Sequence, residues 1–256
     1  MNLTECHHPL VDQIYASRAL PLEAGGTTPL NVYIPLEQGN YLYSLVRHYR
    51  PSLTIEIGLA NGLSALFISA AHADNALGGQ HIAIDPYQST DWNNVGVGLL
   101  RQAGLADRFR LVELPSHQAL PDLEREGVRA GLVFIDGAHL TDYAFTDALC
   151  SDRLLEIKGL LAFDDSDWPS IQPVIRYFLA NRHYSVAHPE IVIEPPPGRP
   201  SRLGRIVCSI PLLRQRLRTD FVHLAADLGI AGRCVVLRKW KEDDRDCQSP
   251  AAHKRF

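Results

Sequence analysis

Hydrophobic positions along the chain alternate between short continuous runs and longer stretches with helical spacing. The runs predict strands at 53–57, 80–85, 109–114, 130–135 and 159–163, with a last strand at 233–240. Helical spacing separates them at 61–74, 95–105, 117–125, 140–154 and 169–181. Because strand and helix patterns alternate, we predict a doubly wound α/β fold with a mostly parallel sheet.

The segment before the first of these strands predicts helices. Residues 9–20 have the apolar spacing of an amphipathic helix, and a break rich in Gly, Thr and Pro follows at 25–29. A second helix then leads into Arg50. We expect residues 1–50 to form a helical cap on a single domain that spans 1–248.

After Tyr184 the regular alternation ends. Residues 191–193 predict a short strand and residues 210–228 a helix. We expect 189–231 to form a helical insertion, or lid, between the last two strands, and 249–256 to be a disordered tail. The insertion carries arginines that form either a solvated face or a contact surface for an acidic substrate. They are Arg199, Arg202, Arg205, Arg214, Arg216 and Arg218.

Composition and charge disfavour several classes of protein. The chain has 256 residues with a net charge of −4, which disfavours a general binder of nucleic acids or anionic membranes. Its five cysteines lack paired spacing, which favours reduced thiols over a disulfide framework or a zinc site. The N-terminus has no export-signal pattern, and no apolar run is long enough for a membrane span. We therefore expect a cytoplasmic protein with neither a nucleic-acid nor a membrane partner.

A turn with two glycines, Gly58 and Gly62, connects the strand at 53–57 to its helix. At the carboxyl edge of an open sheet such a turn lets a ligand approach the backbone, and the helix start, for which we predict Asn61 as cap, offers free N–H groups. The spacing differs from Gly-x-Gly-x-x-Gly, which disfavours a pyrophosphate-bearing cofactor. A tight turn without a ligand is the alternative. At the same edge Asp85 either accepts hydrogen bonds from a ribose diol or initiates a turn with Pro86.

Three aspartates follow two later strands, Asp136 after 130–135 and the pair Asp164 and Asp165 after 159–163. Parallel strands end at one edge, so we expect these carboxylates to converge. They would repel one another unless a cation joins them, and oxygen ligands favour Mg²⁺, Mn²⁺ or Ca²⁺. Helix capping is the alternative, although it does not account for the adjacent pair. His139 is either a general base for a substrate hydroxyl or a histidine that only bonds its neighbours.

These motifs resemble those of class I S-adenosylmethionine-dependent methyltransferases. More narrowly, they resemble the metal-dependent small-molecule O-methyltransferases of the catechol, caffeoyl-CoA and macrocin types. The likeness covers about 34–184 and rests on Pro-Ser-Leu-Thr-Ile-Glu-Ile-Gly at 51–58, Gly-Leu-Ser at 62–64, the aspartate set, and Phe-Ile-Asp-Gly-x-His at 134–139, which is closest to the macrocin type.

The resemblance implies a Rossmann-like fold with seven strands and an O-methyltransferase activity. The methyl group would pass from S-adenosyl-L-methionine to a hydroxyl of a small molecule, such as a sugar or phenolic group of a natural product, with the help of a divalent metal ion. The N-terminal cap and the insertion would select this substrate. A homodimer or a higher homo-oligomer is compatible with the resemblance.

The resemblance also assigns roles to single residues. In the cofactor site the first strand and its turn would hold the methionine part, Asp85 the ribose, and Ser116 with His117 the adenine, His117 replacing a common Gln. The full cofactor set is Ile34, Glu56, Gly58, Ser64, Asp85, Ser116, His117 and Asp136. The metal ligands would be Asp136, Asp164 and Asp165. Asp136 and His139 would be catalytic, His139 standing where the catechol enzyme has a lysine.

Other functions remain open at this point. A metal-independent or N-methylating enzyme would use the aspartates only as helix caps. A non-catalytic cofactor-binding protein would have kept the fold without the activity. A nucleic-acid methyltransferase is disfavoured, because the Asp-Pro-Pro-Tyr-like signature of many such enzymes is absent after the strand at 130–135.

Overall fold

The computed structural model describes residues 1–193 and 232–245. Within them the helices are α1 (Pro9–Ser17), α2 (Leu36–Tyr49), α3 (Leu63–Asn75), α4 (Val95–Gln102), α5 (Ser116–Arg125), α6 (Thr141–Leu154) and α7 (Gln172–Asn181). The strands are β1 (Ala19–Pro21), β2 (Thr27–Pro29), β3 (Leu53–Ile57), β4 (Gln80–Ile84), β5 (Phe109–Val112), β6 (Ala130–Ile135), β7 (Leu155–Phe163), β8 (Tyr184–Ala187) and β9 (Val235–Lys239).

Seven of these strands form one sheet in the order β5-β4-β3-β6-β7-β9-β8. The five strands from β5 to β7 are parallel, whereas β9 runs antiparallel to both β7 and β8. The predicted doubly wound, mostly parallel sheet is thus confirmed. The chain moves outward from β3 through β4 to β5 and then returns to β6, so the topological switch point lies between β3 and β6. Ligands bind at this point in open α/β sheets.

Helices cover both faces of the sheet, and the sheet separates the hydrophobic core into two halves. Leu132 and Phe134 of β6 face the side of α2 and α3, where Leu42 and Phe67 are fully buried. The alternate residues of β6 belong to the other half of the core, which is completed by α5, α6 and α7. Because successive strand residues point to opposite faces, the continuous apolar run of β6 is buried on both sides.

The predicted elements between 53 and 181 are confirmed, with shifts at their ends. The strand predicted at 159–163 begins earlier, at Leu155, and continues past Lys158, whose φ is +71°. Asn61 is not the cap of α3. The cap residue is Gly62, with φ of 79°, and the Asn61 side chain instead donates to the Val32 carbonyl at 2.9 Å.

Predictions outside this stretch were less accurate. Residues 191–193 form no strand, and the strand in this region is the edge strand β8, whose four residues offer too short an apolar pattern to stand out. The helix predicted at 9–20 ends at Ser17, and the break at 25–29 contains part of the antiparallel pair β1–β2.

Several predictions lie outside the described residues. These are the helix at 210–228, most of the insertion at 189–231 and the tail at 249–256. None of the helices in the described part of the chain has the length and apolar character needed to cross a membrane.

Candidate functional site

The ends of four parallel strands lie in register at the switch point. Ile57 of β3 is paired with Ile84 of β4 and Ile135 of β6, and Ile135 with Phe163 of β7. The next residue of each strand therefore falls in one row at the carboxyl edge. Those residues are Asp85, Gly58, Asp136 and Asp164.

A cavity of about 470 Å³ opens above this row. Its walls are the segment 31–34, the turn 59–64, and side chains that follow β6 and β7 or precede β9. Six of the predicted site residues line it: Ile34, Ser64, Asp136, His139, Asp164 and Asp165. The other five are not in the lining: Glu56, Gly58, Asp85, Ser116 and His117.

The Gly58 position requires glycine for two reasons. Its φ is +91°, in the region that residues with a Cβ rarely adopt, and an added Cβ would lie 2.1 Å from the carbonyl oxygen of Asp136. The backbone of the turn thus packs directly on the loop that carries Asp136.

Asp85 braces this turn from below. Its Oδ2 accepts hydrogen bonds from the backbone N–H groups of Leu59 at 3.1 Å and Ala60 at 2.9 Å, and from Gln88 Nε2 at 3.1 Å. Its Oδ1 accepts one from the Tyr87 N–H at 2.9 Å. The turn-forming role considered for Asp85 is therefore present, and a ribose would have to share these oxygens with the backbone.

Three side chains converge at the floor of the cavity. Asp136, His139 and Asp164 each place one ligand atom so that all three atoms lie within 4.8 Å of one another. Burial raises the pKa of Asp136 well above its usual range, and the Asp164 carboxylate adds to this shift. The group therefore favours an added positive charge, whether a proton or a metal ion.

Arg233, which sequence reasoning missed, supplies one positive charge to this cluster. Its Nε lies 3.3 Å from Asp164 Oδ1 and its Nη2 lies 3.1 Å from Asp165 Oδ1. Burial lowers the pKa of Arg233, but the two carboxylates outweigh that effect and raise it above its usual value. Gln38, also missed, donates to Asp164 Oδ1 at 2.6 Å. Asp165 thus pairs with Arg233. The three ligand atoms that lie within 4.8 Å of one another belong to Asp136, Asp164 and His139, and Asp165 is not among them.

His139 projects into the cavity between two carboxylates. Its Nε2 is 3.6 Å from Asp136 Oδ1 and 3.5 Å from Asp165 Oδ2, distances too long for hydrogen bonds. The imidazole ring packs on Trp168, with ring centroids 5.1 Å apart. This tilted ring contact holds the imidazole, while the carboxylates would stabilise an imidazolium if the ring accepted a proton.

Glu56 is fully buried in β3, next to the glycine turn. Neither of its carboxylate oxygens has a hydrogen-bond partner among the described residues. Its nearest ionisable neighbour is His81, whose Nε2 lies 3.4 Å from Oε1. Buried carboxylates without partners are costly and rare, so this one fits a site completed by a donor from a ligand.

The two residues expected at the adenine lie at the start of α5. Ser116 lies near the buried Asp147 side chain and lowers its pKa, and His117 is exposed. Neither reaches the cavity in this structure.

Comparison with known proteins shows what this chain is similar to. Residues 55–166 match a family model described as a methyltransferase domain. A caffeoyl-CoA O-methyltransferase of Stellaria longipes is 27% identical over 157 residues, which cover 60% of this chain and 59% of that protein. The chain thus spans little more than half the length of this curated relative.

Two solved structures have the same fold. The O-methyltransferase TomG of Streptomyces achromogenes, solved in complex with SAM, is 21% identical, with a TM-score of 0.51 over 62% of this chain and 75% of that one. An O-methyltransferase of Bacillus cereus, solved in complex with SAH, is 18% identical, with a TM-score of 0.53 over 70% of this chain and 80% of that one.

Proposed function

We propose, from the match of residues 55–166 to a family model described as a methyltransferase domain, that the chain is an S-adenosylmethionine-dependent O-methyltransferase that acts on a small molecule with the help of a divalent metal ion. The observation that carries the proposal is the convergence of Asp136, His139 and Asp164 within 4.8 Å at a cavity beside the glycine turn. When bound, the cofactor would supply an electrophilic methyl group, and the metal ion a Lewis acid that orients the acceptor hydroxyl and lowers its pKa.

The cofactor would bind along the β3–α3 turn. Glu56 would accept a hydrogen bond from the ammonium group of its methionine part, and the start of α3, with Ser64, would donate to the carboxylate. The lack of a Cβ at Gly58 would allow close approach of the backbone. Ser116 and His117 would reach the adenine only after a change in side-chain or loop position.

The donor set fits a hard divalent ion. Asp136 and Asp164 offer oxygens, and Gln38 with Arg233 holds Asp164 in place. Asp165 would complete the set by exchanging its contact with Arg233 for one with the ion. Mg²⁺ suits such oxygens, and Mn²⁺ accepts both oxygen and imidazole ligands.

His139 would act as the general base. Its Nε2 faces the cavity, and Asp136 and Asp165 lie close enough to stabilise the charge that it gains on accepting the hydroxyl proton. Trp168 and Tyr33 line the same cavity and offer aromatic surfaces to a phenolic or sugar ring. With the rest of the wall they would exclude water and align the hydroxyl for an in-line transfer.

One observation favours a second candidate, a metal-independent methyltransferase. Arg233 already places a positive charge between Asp164 and Asp165. In that case the aspartates and Arg233 would form a fixed ion-pair network, and His139 alone would remove the proton.

The test is release of S-adenosylhomocysteine from purified protein with Mg²⁺ across catechols, glycosides and acidic phenolics. We expect turnover that EDTA abolishes and Mg²⁺ restores. Turnover that survives EDTA would select the metal-independent candidate, and binding of the cofactor without turnover of any acceptor would select a non-catalytic protein.

Two variants separate the roles of the catalytic pair. We expect His139→Ala to lower kcat by roughly 10²–10⁴-fold, because it removes a general base, without changing the affinity for S-adenosylhomocysteine. Asp136→Asn should also abolish turnover and weaken metal binding in calorimetry. Asp142→Asn, an exposed change of equal charge on α6, is the matched control. Unchanged activity in either site variant would refute its assigned role.

A further inference from the structure

A row of buried polar groups lies beneath Glu56. Thr54 and Glu56 point to the same face of β3, because they are two residues apart. His81 of β4 is paired with Thr54 in the parallel ladder, and His72 reaches the same hydroxyl from α3. Thr54, Glu56 and His81 are fully buried and His72 nearly so.

The contacts in this row are continuous. Thr54 Oγ1 lies 2.9 Å from His72 Nε2 and 2.9 Å from His81 Nδ1, with the Gln80 carbonyl further away at 3.3 Å. The other ring nitrogen of His81 lies 3.4 Å from Glu56 Oε1. His81 therefore stands between the Thr54 hydroxyl and a carboxylate whose oxygens have no hydrogen-bond partner among the described residues.

The Thr54 hydroxyl has a single proton and can donate to only one of its neighbours. The neighbour that receives this proton determines the direction of the hydrogen bonds along the row. His72 is neutral, because burial lowers its pKa to about 3, with His81 and Arg108 adding to the effect. If His72 donates its Nε2 proton to Thr54, the hydroxyl is free to donate to His81 Nδ1, and neutral His81 then carries its proton on Nε2, towards Glu56. In the reverse direction, or with Thr54 donating to Gln80, neutral His81 would turn a lone pair towards the buried carboxylate. That arrangement is repulsive.

We propose that His81 is a positioning residue for Glu56, with Thr54 and His72 fixing its ring so that an Nε2–H faces the carboxylate. The 3.4 Å separation exceeds a hydrogen bond. Glu56 is thus oriented by an attractive neighbour that leaves both oxygens without a hydrogen bond, and because both oxygens are buried, an ammonium group would reach them only after neighbouring residues move. The inference rests on the proposed function in one respect, that Glu56 binds the ammonium of the cofactor.

The tautomer can be tested without any ligand. Nitrogen-15 NMR of histidine-labelled protein, with the His81 signals assigned by their loss in His81→Asn, should show a proton on Nε2 of His81. A neutral His81 that is protonated only on Nδ1 would overturn the proposal.

Binding tests the consequence with two probes. S-adenosylhomocysteine carries the amino-acid part, and 5′-methylthioadenosine lacks it. In His81→Asn the short amide would reach Thr54 but not Glu56, whereas the longer amide in His81→Gln would place an N–H near the position of Nε2. We expect His81→Asn to lower the affinity for S-adenosylhomocysteine about tenfold without changing the affinity for 5′-methylthioadenosine. His81→Gln should restore most of the affinity for S-adenosylhomocysteine.

Other results would overturn the proposal in distinguishable ways. An equal loss of affinity for both ligands would show that His81 only maintains the fold and does not position Glu56. If Glu56→Gln weakens the binding of S-adenosylhomocysteine while His81→Asn does not, the positioning role fails and the proposed function stands. If the wild-type protein binds neither ligand, both fail. If His81→Asn does not fold, Thr54→Val, which keeps the side-chain shape and removes the hydroxyl, should produce the same selective loss of affinity for S-adenosylhomocysteine. An affinity equal to that of wild type in Thr54→Val would again reject the positioning role.

Discussion

Single residues at the sheet edge are constrained by conformation and by close packing, and Gly58 combines both. Gly25 has the same φ of +91°, but nothing lies within 4 Å of its Cβ position. We expect Gly25→Ala to cost about 1–2 kcal/mol from the backbone alone, and Gly58→Ala roughly 3 kcal/mol or more, because the Asp136 carbonyl must also move. Urea unfolding of both variants measures the difference, and equal losses would show that the contact with Asp136 is unimportant.

Protonation of Asp147 is linked to the stability of the fold. Burial raises its pKa to about 6, against the opposing effects of Ser116 and His117. An unfolded aspartate titrates near 3.9, so the folded protein holds the proton more tightly. This contribution to stability is complete below about pH 4 and is lost as the pH rises through 6, by up to about 3 kcal/mol.

Asp147→Asn should remove this pH dependence. Relative to wild type, its free energy of unfolding should rise progressively between about pH 4 and pH 6 in urea titrations. Asp142→Asn, on the exposed face of the same helix, is the control, and its pH profile should differ from that of wild type by less than the profile of Asp147→Asn does. Parallel pH profiles for Asp147→Asn and wild type would contradict the assignment.

At the residue scale the sequence predicted one part of the site and missed another. Asp136, Asp164 and Asp165 were expected to converge because each directly follows a strand of a parallel sheet, and the register confirms that they share an edge. Gln38 and Arg233 contact Asp164 from 126 and 69 residues away along the chain. No local pattern encodes such contacts, since they depend on how α2 and β9 pack on the finished sheet.

At the scale of elements, β9 is held to the sheet by a buried charge as well as by its ladder. Lys239 is fully buried and donates to the Asp152 carbonyl at 2.6 Å, the Leu155 carbonyl at 3.1 Å and Glu242 Oε2 at 2.7 Å. Lys239→Met should lower the free energy of unfolding by about 3–5 kcal/mol, because it leaves buried acceptors without a donor. Lys241→Met, at an exposed position, should change it by less than about 0.5 kcal/mol, and similar losses in calorimetry would contradict this role.

The elements that the sequence predicted are those with long local patterns. β3 and β6 are central strands with short, mainly apolar runs, and their bounds were predicted without error. β8 is a four-residue edge strand, and β1 and β2 have three residues each, so their strand character depends on the neighbour that they pair with. Short elements of this kind carry too little periodicity to be distinguished from loops.

At the scale of the whole molecule, ligand binding and stability are linked through the acidic cluster. Burial raises the pKa of Asp136, and repulsion from the nearby Asp164 carboxylate adds to the shift. A divalent ion that binds between them would relieve this repulsion only in the folded state, and S-adenosylhomocysteine at 100 times its Kd would add about 2.7 kcal/mol on its own. We therefore expect Mg²⁺ and S-adenosylhomocysteine each to raise Tm at neutral pH.

The variants decide where each stabilising effect originates. Asp136→Asn removes one carboxylate ligand, so it should lose most of the Tm increase with Mg²⁺. His81→Gln should keep both ligand effects. If Mg²⁺ stabilises Asp136→Asn as much as wild type in thermal melts, the ion binds elsewhere, and the cluster with Arg233 is then a fixed ion-pair network in which proton removal depends on His139.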